Sequence, residues 1–228
     1  IIDVGGESTR PFSRSVSSRE EIDRVVPVIS ALAAVLDIPI SIDTTKADVA
    51  RAALAAGASM INDISALRFD PELAEVAAEA GVPVVLMHMK GTPETMQKRP
   101  EYDDLIGEVS FFLKDALNRA VSAGIRENLV ILDPGIGFGK TYDHNLLLIN
   151  RLEELSGLGK PLLVGPSRKS FIGHILGLEP SGRATGSMAA VAACVIKGAS
   201  IVRVHDVAQA VETVRVIDAV RREKAGLE

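Results

Sequence analysis

The chain has 228 residues, 47% of them hydrophobic and 24% charged, enough to bury a full core without a disulfide or structural metal. Its 25 basic and 30 acidic residues give a formal charge of −5, which leaves no basic excess for neutralising the phosphates of a nucleic acid. The longest clean apolar run, Met188 to Ile196, is far too short to cross a bilayer. No signal peptide is expected, since Asp3 and Glu7 interrupt the apolar start and no basic segment precedes it. Cys194 is the single cysteine and sits in an Ala/Val-rich run, so it reads as a buried packing thiol. A cytoplasmic protein follows, with no nucleic-acid or membrane partner.

Short β-rich runs alternate with helices along the chain. Strands are predicted over 1–5, 39–43, 59–65, 83–88, 128–133, 161–165 and 200–205. Most are apolar on both faces, as parallel strands buried between two layers should be. Ser18-Arg-Glu-Glu21 reads as a capping box opening a helix toward Leu36. Asp70-Pro71 places an N-cap before a first-turn proline, for a helix ending near Ala80. Further helices are expected over 101–123, 143–155, 182–197 and 206–224. Where helix passes to strand a glycine recurs, at Gly57, Gly81, Gly124 and Gly198, suited to the left-handed position that ends a helix.

A repeated βα unit leaves an open doubly wound sheet or a (β/α)₈ TIM barrel. The polar strand ends favour the barrel: Glu7 and Ser8, Asp43, Asn62 and Asp63, His88, Asp133, Ser167, Arg203 and His205. In a barrel these ends converge on one mouth, where such enzymes keep their sites. The expected fold is thus a single α/β domain over 1–228, a barrel with seven of its eight strands visible and the first missing ahead of Ile1. Unpaired strand edges would follow. The chain as written is therefore expected to be poorly active, poorly folded, or completed by something outside it.

Two nucleotide motifs fail. Gly139-Lys140-Thr141 resembles the end of a P-loop, but Pro134 stands where that motif needs its first glycine. Gly135-Ile-Gly137-Phe-Gly139 has the wrong glycine spacing for a dinucleotide fold. Asp43 and Asp133 end apolar strands, where a carboxylate is costly without a partner. Each could simply cap the next helix. With Asn62 they form an acceptor set suited to a planar ligand with adjacent N–H donors, such as an amino-pyrimidinone. Arg203 and His205 alternate, so both point to one face and could clamp an anion, or could be satisfied by Asp133 or Asp206. Lys169, in Ser167-Arg-Lys-Ser170, could orient a ring at the mouth, form a Schiff base, or belong to a solvated loop. Met87 could pack, or lie against a flat ring.

At these residues the chain resembles the dihydropteroate synthases, a pterin-binding family. The resemblance rests on Asp-Val-Gly-Gly-Glu-Ser-Thr-Arg-Pro (3–11), Ile-Ser-Ile-Asp-Thr (40–44), Ile-Asn-Asp (61–63) and Leu-Met-His-Met (86–89). It continues through Leu-Asp-Pro-Gly-Ile-Gly-Phe-Gly-Lys (132–140), Ser-Arg-Lys-Ser-Phe-Ile-Gly (167–173) and Arg-Val-His-Asp (203–206). The resemblance implies condensation of a 6-hydroxymethyl-dihydropterin diphosphate with p-aminobenzoate in folate synthesis, assisted by Mg²⁺. It implies that Asp43, Asn62, Asp133 and Lys169 hold the pterin, with Met87 beside its ring, and that Arg203 and His205 bind the diphosphate. Asp43, Asp133, Lys169, Arg203 and His205 are the residues expected to carry the chemistry. Thr9, Arg10 and Pro11, with Phe138, Gly165, Lys169 and Ser170, would complete the substrate sites. The family is usually homodimeric and a target of sulfonamides. The two buried carboxylates could also hold a metal, but no clustered His/Cys set accompanies them and no metal ligand is expected among these residues; the family's asparagine near the metal belongs to the loop after the missing strand. A pterin-dependent corrinoid methyltransferase, a pterin-binding remnant without activity and a Lys169 aldolase are the competing readings.

Overall fold

The computed structural model describes residues 1–8 and 15–224. Seven parallel strands alternate with helices in strict sequence order. They are β1 (Ile2–Gly5), α1 (Ser18–Ala33), β2 (Ile40–Asp43), α2 (Ala47–Ala55), β3 (Met60–Asp63), α3 (Glu72–Ala80), β4 (Val84–Met87) and α4 (Leu105–Ser122). There follow β5 (Val130–Asp133), α5 (Tyr142–Asn150), β6 (Leu163–Val164), α6 (Ser170–Leu176), α7 (Ala184–Ile196), β7 (Ile201–Val202) and α8 (Val207–Arg222). The predicted helix over 143–155 is instead α5 followed by a 3₁₀ segment, Leu152–Leu158.

Strands β1 to β5 form one sheet and β6 pairs with β7, the two joined by a bridge from Leu132 to Leu162. Among the described residues no main-chain pairing joins β7 to β1. The predicted strand edges therefore lie here, at what we call the seam.

Strand alternation sorts the core into two layers. Outward-facing Ile40, Ile42, Ile61, Val84, Leu86, Val130, Leu132 and Val164 pack against the helices. Inward-facing Met60, Val85 and Leu163, with Ile131 and Ile201, fill the interior. Each fully buried side chain of this size contributes about 1.5–3 kcal/mol. The interior differs on the β1–β2 side. Register places Asp3 beside Ser41 and Gly5 beside Asp43, so this side carries polar groups.

The helix ends follow local chemistry, with one shift. The α1 cap is Ser17, one residue before the predicted one, and its side chain accepts from Glu20 N. Glu21, read as the capping-box partner, turns inward to Lys46 instead. Asp70 does more than predicted: it accepts from Glu72 N at 3.1 Å and from Ala47 N at 2.7 Å, so one carboxylate serves the starts of α2 and α3. Gly57, Gly81, Gly124 and Gly198 all take positive φ, as their recurrence predicted. Cys194 is fully buried, and burial pushes its thiol up to about 12, so it packs rather than reacts.

Candidate active site

The ends of β2 to β5 present one continuous surface at the barrel mouth. Asp43 is in register with Asn62, and Met87 with Asp133. Neither Asp43 nor Asp133 caps a helix. Asp133 accepts from Gly135 N at 2.6 Å. Burial pushes its carboxyl up to about 6, against the Gly135 hydrogen bond and the nearby Lys169 and Lys140 charges. Burial, reinforced by the charge of Asp3, pushes Asp43 up to about 7, with Arg203 opposing. Both carboxylates thus sit where a ligand's N–H donors would relieve an electrostatic cost. Met87 packs with Ile64, Met89 and Met96, and Phe138 closes that apolar patch.

Lys169 stands immediately before α6, its Nζ 4.4 Å from the centre of the Phe138 ring. Burial lowers its pKa to about 8, with Asp133 opposing. Its position is set by Arg168, which holds a left-handed φ of 55° that a non-glycine residue adopts at a cost of roughly 1–3 kcal/mol. Three contacts impose that turn. Arg168 N donates to Ser187 Oγ, Arg183 donates to the Arg168 carbonyl, and the Arg168 guanidinium pairs with both oxygens of Asp206. The solvated-loop reading of this segment is corrected accordingly.

The glycine-rich loop is also built from within. A side chain at Gly135 would collide with the carbonyl oxygen of His88, and its φ is 70°. Lys140, almost fully buried, donates to Gly135 O and Phe138 O at 3.0 Å each, and its Nζ lies 2.8 Å from His88 Nδ1. Burial lowers Lys140 to about 7; burial and the Lys140 charge hold His88 down near 2. His88 is therefore the neutral acceptor of a loop staple. It was expected at the mouth; its ring instead packs edge-on against Phe112. Asp63 is likewise displaced from that expectation, accepting from Ser65 N and Leu67 N in the turn after β3.

Arg203 and His205 follow β7, and each takes a different side-chain partner. Arg203 reaches across the seam, Nε to Asp3 Oδ2 at 2.7 Å and a terminal nitrogen to Asp43 Oδ2 at 3.2 Å. His205 Nδ1 lies 3.0 Å from Ser167 Oγ, which also accepts from His205 N. The partners weighed for Arg203, Asp133 and Asp206, are not the ones it takes; Asp206 belongs to Arg168. Burial acts against the Arg203 charge, but Asp3 and Asp43 outweigh it and raise its pKa. Gly165 lies beside Arg203, and Ser170 is exposed at the start of α6. Thr9, Arg10 and Pro11 lie outside the described residues.

The described residues contain no group of three or more His, Cys, Asp or Glu side chains that could hold a metal ion. The mouth carboxylates Asp3 and Asp43 are already paired with Arg203, so these residues do not by themselves build a magnesium site.

A sequence model described as "Pterin binding enzyme" matches residues 1–205. The dihydropteroate synthase of Synechocystis is 52% identical over 223 residues, covering 97% of this chain and 77% of that one. The chain belongs to the dihydropteroate synthase family. Among solved structures of that family, the Yersinia pestis enzyme in a sulfonamide drug complex superposes with a TM-score of 0.95 at 48% identity, covering 97% of this chain and 80% of that one. The Xanthomonas albilineans enzyme with 4-aminobenzoic acid gives 0.91 at 46% identity, covering 96% and 78%.

For a member of the dihydropteroate synthase family, two residues of this mouth escaped the sequence reading. Asp3 enters the sequence reading as a break in an apolar start and as the first residue of the 3–11 segment, with no role given to it, although it shares the period-two face of Gly5. Lys140 enters it as part of a failed P-loop and as the last residue of the 132–140 segment, again with no role. Lys46, paired with Glu7 and Glu21 behind Asp43, gave no sequence signal.

Proposed function

We propose that this chain acts as a dihydropteroate synthase, joining a 6-hydroxymethyl-dihydropterin diphosphate to p-aminobenzoate with loss of diphosphate. The carrying observation is that Asp43, Asn62 and Asp133 line one wall of the mouth, Lys169 faces Phe138, and Arg203 reaches Asp43 from the end of β7. Asp43 and Asp133 accept the ring's N–H donors, and Asn62 adds a neutral acceptor. Lys169 faces the ring's polar edge, and Met87 lies under its plane.

The chemistry follows from charge. Breaking the C–O bond to diphosphate leaves positive charge on the exocyclic pterin carbon. The two carboxylates add negative potential where that charge spreads, and Arg203 and His205 take the departing anion. Loading exchanges partners: Arg203 leaves Asp43 for the diphosphate, and Asp43 turns to the ring. The aniline nitrogen then needs mainly positioning, which Phe138, Ser170 and the Thr9–Pro11 segment supply, and no strong base. A sulfonamide, shaped like p-aminobenzoate, would compete there.

Magnesium is the expected cofactor. The described residues do not build its site; when bound, Mg²⁺ would supply positive charge beside the diphosphate that Arg203 and His205 take. Mg²⁺ dependence of turnover, without Mg²⁺ dependence of phosphate-free pterin binding, checks this. A homodimer is proposed on the resemblance and on the exposed Ile196, Val207, Val216 and Val220 of α7 and α8. Sedimentation measures it directly. No helix among the described residues is long and apolar enough to cross a membrane. The single reduced thiol supports the cytoplasm as the setting.

The deciding experiment mixes the chain with the pterin diphosphate ester, p-aminobenzoate and Mg²⁺ and weighs the product. Dihydropteroate that requires both substrates is expected. Pterin binding without product would leave a binding protein; neither would end the proposal.

A further inference from the structure

We infer that Asp3 is a positioning residue of this site: its carboxylate fixes the Asn62 amide with the carbonyl oxygen toward the ligand and holds Arg203 at the mouth. The inference rests on the pterin reading above and adds a residue which that reading does not use.

The geometry is specific. Asp3 Oδ2 accepts from Asn62 Nδ2 at 3.1 Å and from Arg203 Nε at 2.7 Å. These donors come from β3 and from the residue just after β7, on opposite sides of β1 and β2. One oxygen therefore ties the acceptor wall to the anion-binding arginine. A carboxylate paired with a guanidinium can only accept, so the side of Asn62 that faces it must be the NH₂. The Asn62 carbonyl oxygen is then left for the ligand, and no described residue donates to it. Without Asp3 an asparagine amide can turn over and present donors to a ligand edge that is itself made of donors.

The second oxygen supports a role beyond packing. Asp3 Oδ1 is buried and has no hydrogen-bond partner among the described residues, and neither has Ser41 Oγ, on the residue paired in register with Asp3. Leaving a buried carboxylate oxygen unpaired is destabilising. An apolar residue would suit an interior filled by Met60, Val85 and Leu163 better. The charge is retained where it controls two side chains of the proposed site. Arg203 also shows how the restraint is graded: Asp43, the weaker of its two contacts by distance, is the one it gives up on loading, while Asp3 keeps the guanidinium within reach.

The test is a double-mutant cycle on phosphate-free pterin affinity, with Asp3→Asn, Asn62→Ala and the pair, each checked for cooperative unfolding. Asp3→Asn should weaken pterin binding by roughly tenfold. In the Asn62→Ala background the same change should cost less than about twofold, because its route is already gone. Additive losses, or unchanged affinity in Asp3→Asn, overturn the inference. A second variant, Asp3→Glu, keeps the charge but moves it. The long Arg203 side chain can follow and short Asn62 cannot. Pterin affinity should fall while inhibition by inorganic diphosphate persists; parallel loss of both means Asp3 only holds the barrel together. The unsubstituted chain is the control. If it does not bind pterin, the functional reading has failed; if it binds and the cycle is additive, only the role of Asp3 has.

Discussion

The wall formed by β2 to β5 and the seam between β7 and β1 solve the same problem in opposite ways. On the wall, main-chain pairing is continuous, the strands are buried, and the carboxylates are held up near neutrality by burial. At the seam no pairing is present among the described residues, the flanking strands are only partly buried, and the connection is an arginine bridging two aspartates. The wall is closed by main-chain pairing and is electrostatically costly; the seam is closed by side chains of opposite charge. On the proposed function, ring recognition falls to the first and anion capture to the second, because a planar donor edge needs fixed acceptors while a leaving group needs a cation.

The largest effect that would break this comparison is expected at Asp133. Asp133→Asn keeps the shape and removes the charge, so phosphate-free pterin affinity should fall about 30–100-fold, the equivalent of about 2–3 kcal/mol for a charged hydrogen bond. Calorimetric titration reads it directly. Affinity within twofold of the parent would remove Asp133 from the wall's function. Lys140→Met comes next. It leaves Gly135 O, Phe138 O and His88 Nδ1 without their donor, so stability should drop by about 2–3 kcal/mol. In the folded variant the Michaelis constant for p-aminobenzoate should rise more than the pterin affinity falls, since Phe138 is displaced before Asp133 is. Equal changes for both ligands would mean that the loop is not separable from the wall.

Much of the wall was legible because its signals are local. An aspartate closing Ile-Ser-Ile-Asp or Val-Ile-Leu-Asp is visible in four residues, and a strand's period of two says which face it takes. The seam was not legible, because its partners lie 200 and 160 residues apart and only the closing of the fold brings them together. Arg203 was recognised as a cation at the mouth, but its companions Asp3 and Asp43 could not be read from spacing. The same limit misplaced His88 and Asp63. Both end strands and look like mouth residues, yet each turns to a neighbouring turn or loop. At α1 two adjacent serines competed for one cap, and packing of Glu21 against Lys46 decided between them.

A pH series sharpens the contrast. Asp43 titrates at about 7 and Asp133 at about 6, so pterin binding should strengthen as pH rises through that window and level off above it. The groups facing Asp43 are Asp3, Asp63, Glu21 and Arg203, and only the last favours its charge. Ligand-free stability runs the other way. A carboxyl whose folded pKa is raised contributes stability that is full below its unfolded value near 4 and is lost as pH rises through the folded value. Asp133→Asn should therefore be more stable than the parent at pH 8 by about 1–2 kcal/mol, or roughly 2–8 °C in Tm. The gain should vanish toward pH 4. A variant less stable than the parent at pH 8 would show that the Asp133 charge is favoured in the ligand-free wall.

The smallest expected effect lies at the seam, and its smallness is the point. Asp3 and Asp43 are only 17% and 13% exposed, but the Arg203 side chain is 52% exposed, so solvent screens both pairs and holds their contribution to about 1 kcal/mol. Arg203→Ala should therefore lower Tm by no more than about 2–4 °C, although it removes both ion pairs that cross the only unpaired join among the described strands. Binding of inorganic diphosphate should weaken far more than stability does, while phosphate-free pterin binds nearly as before. The separation follows from what each ligand asks of the arginine: the ring needs Asp43 released, and the anion needs the guanidinium itself. A large loss of stability, or equal loss of both ligands, would make Arg203 a strut of the barrel and return anion capture to His205 alone.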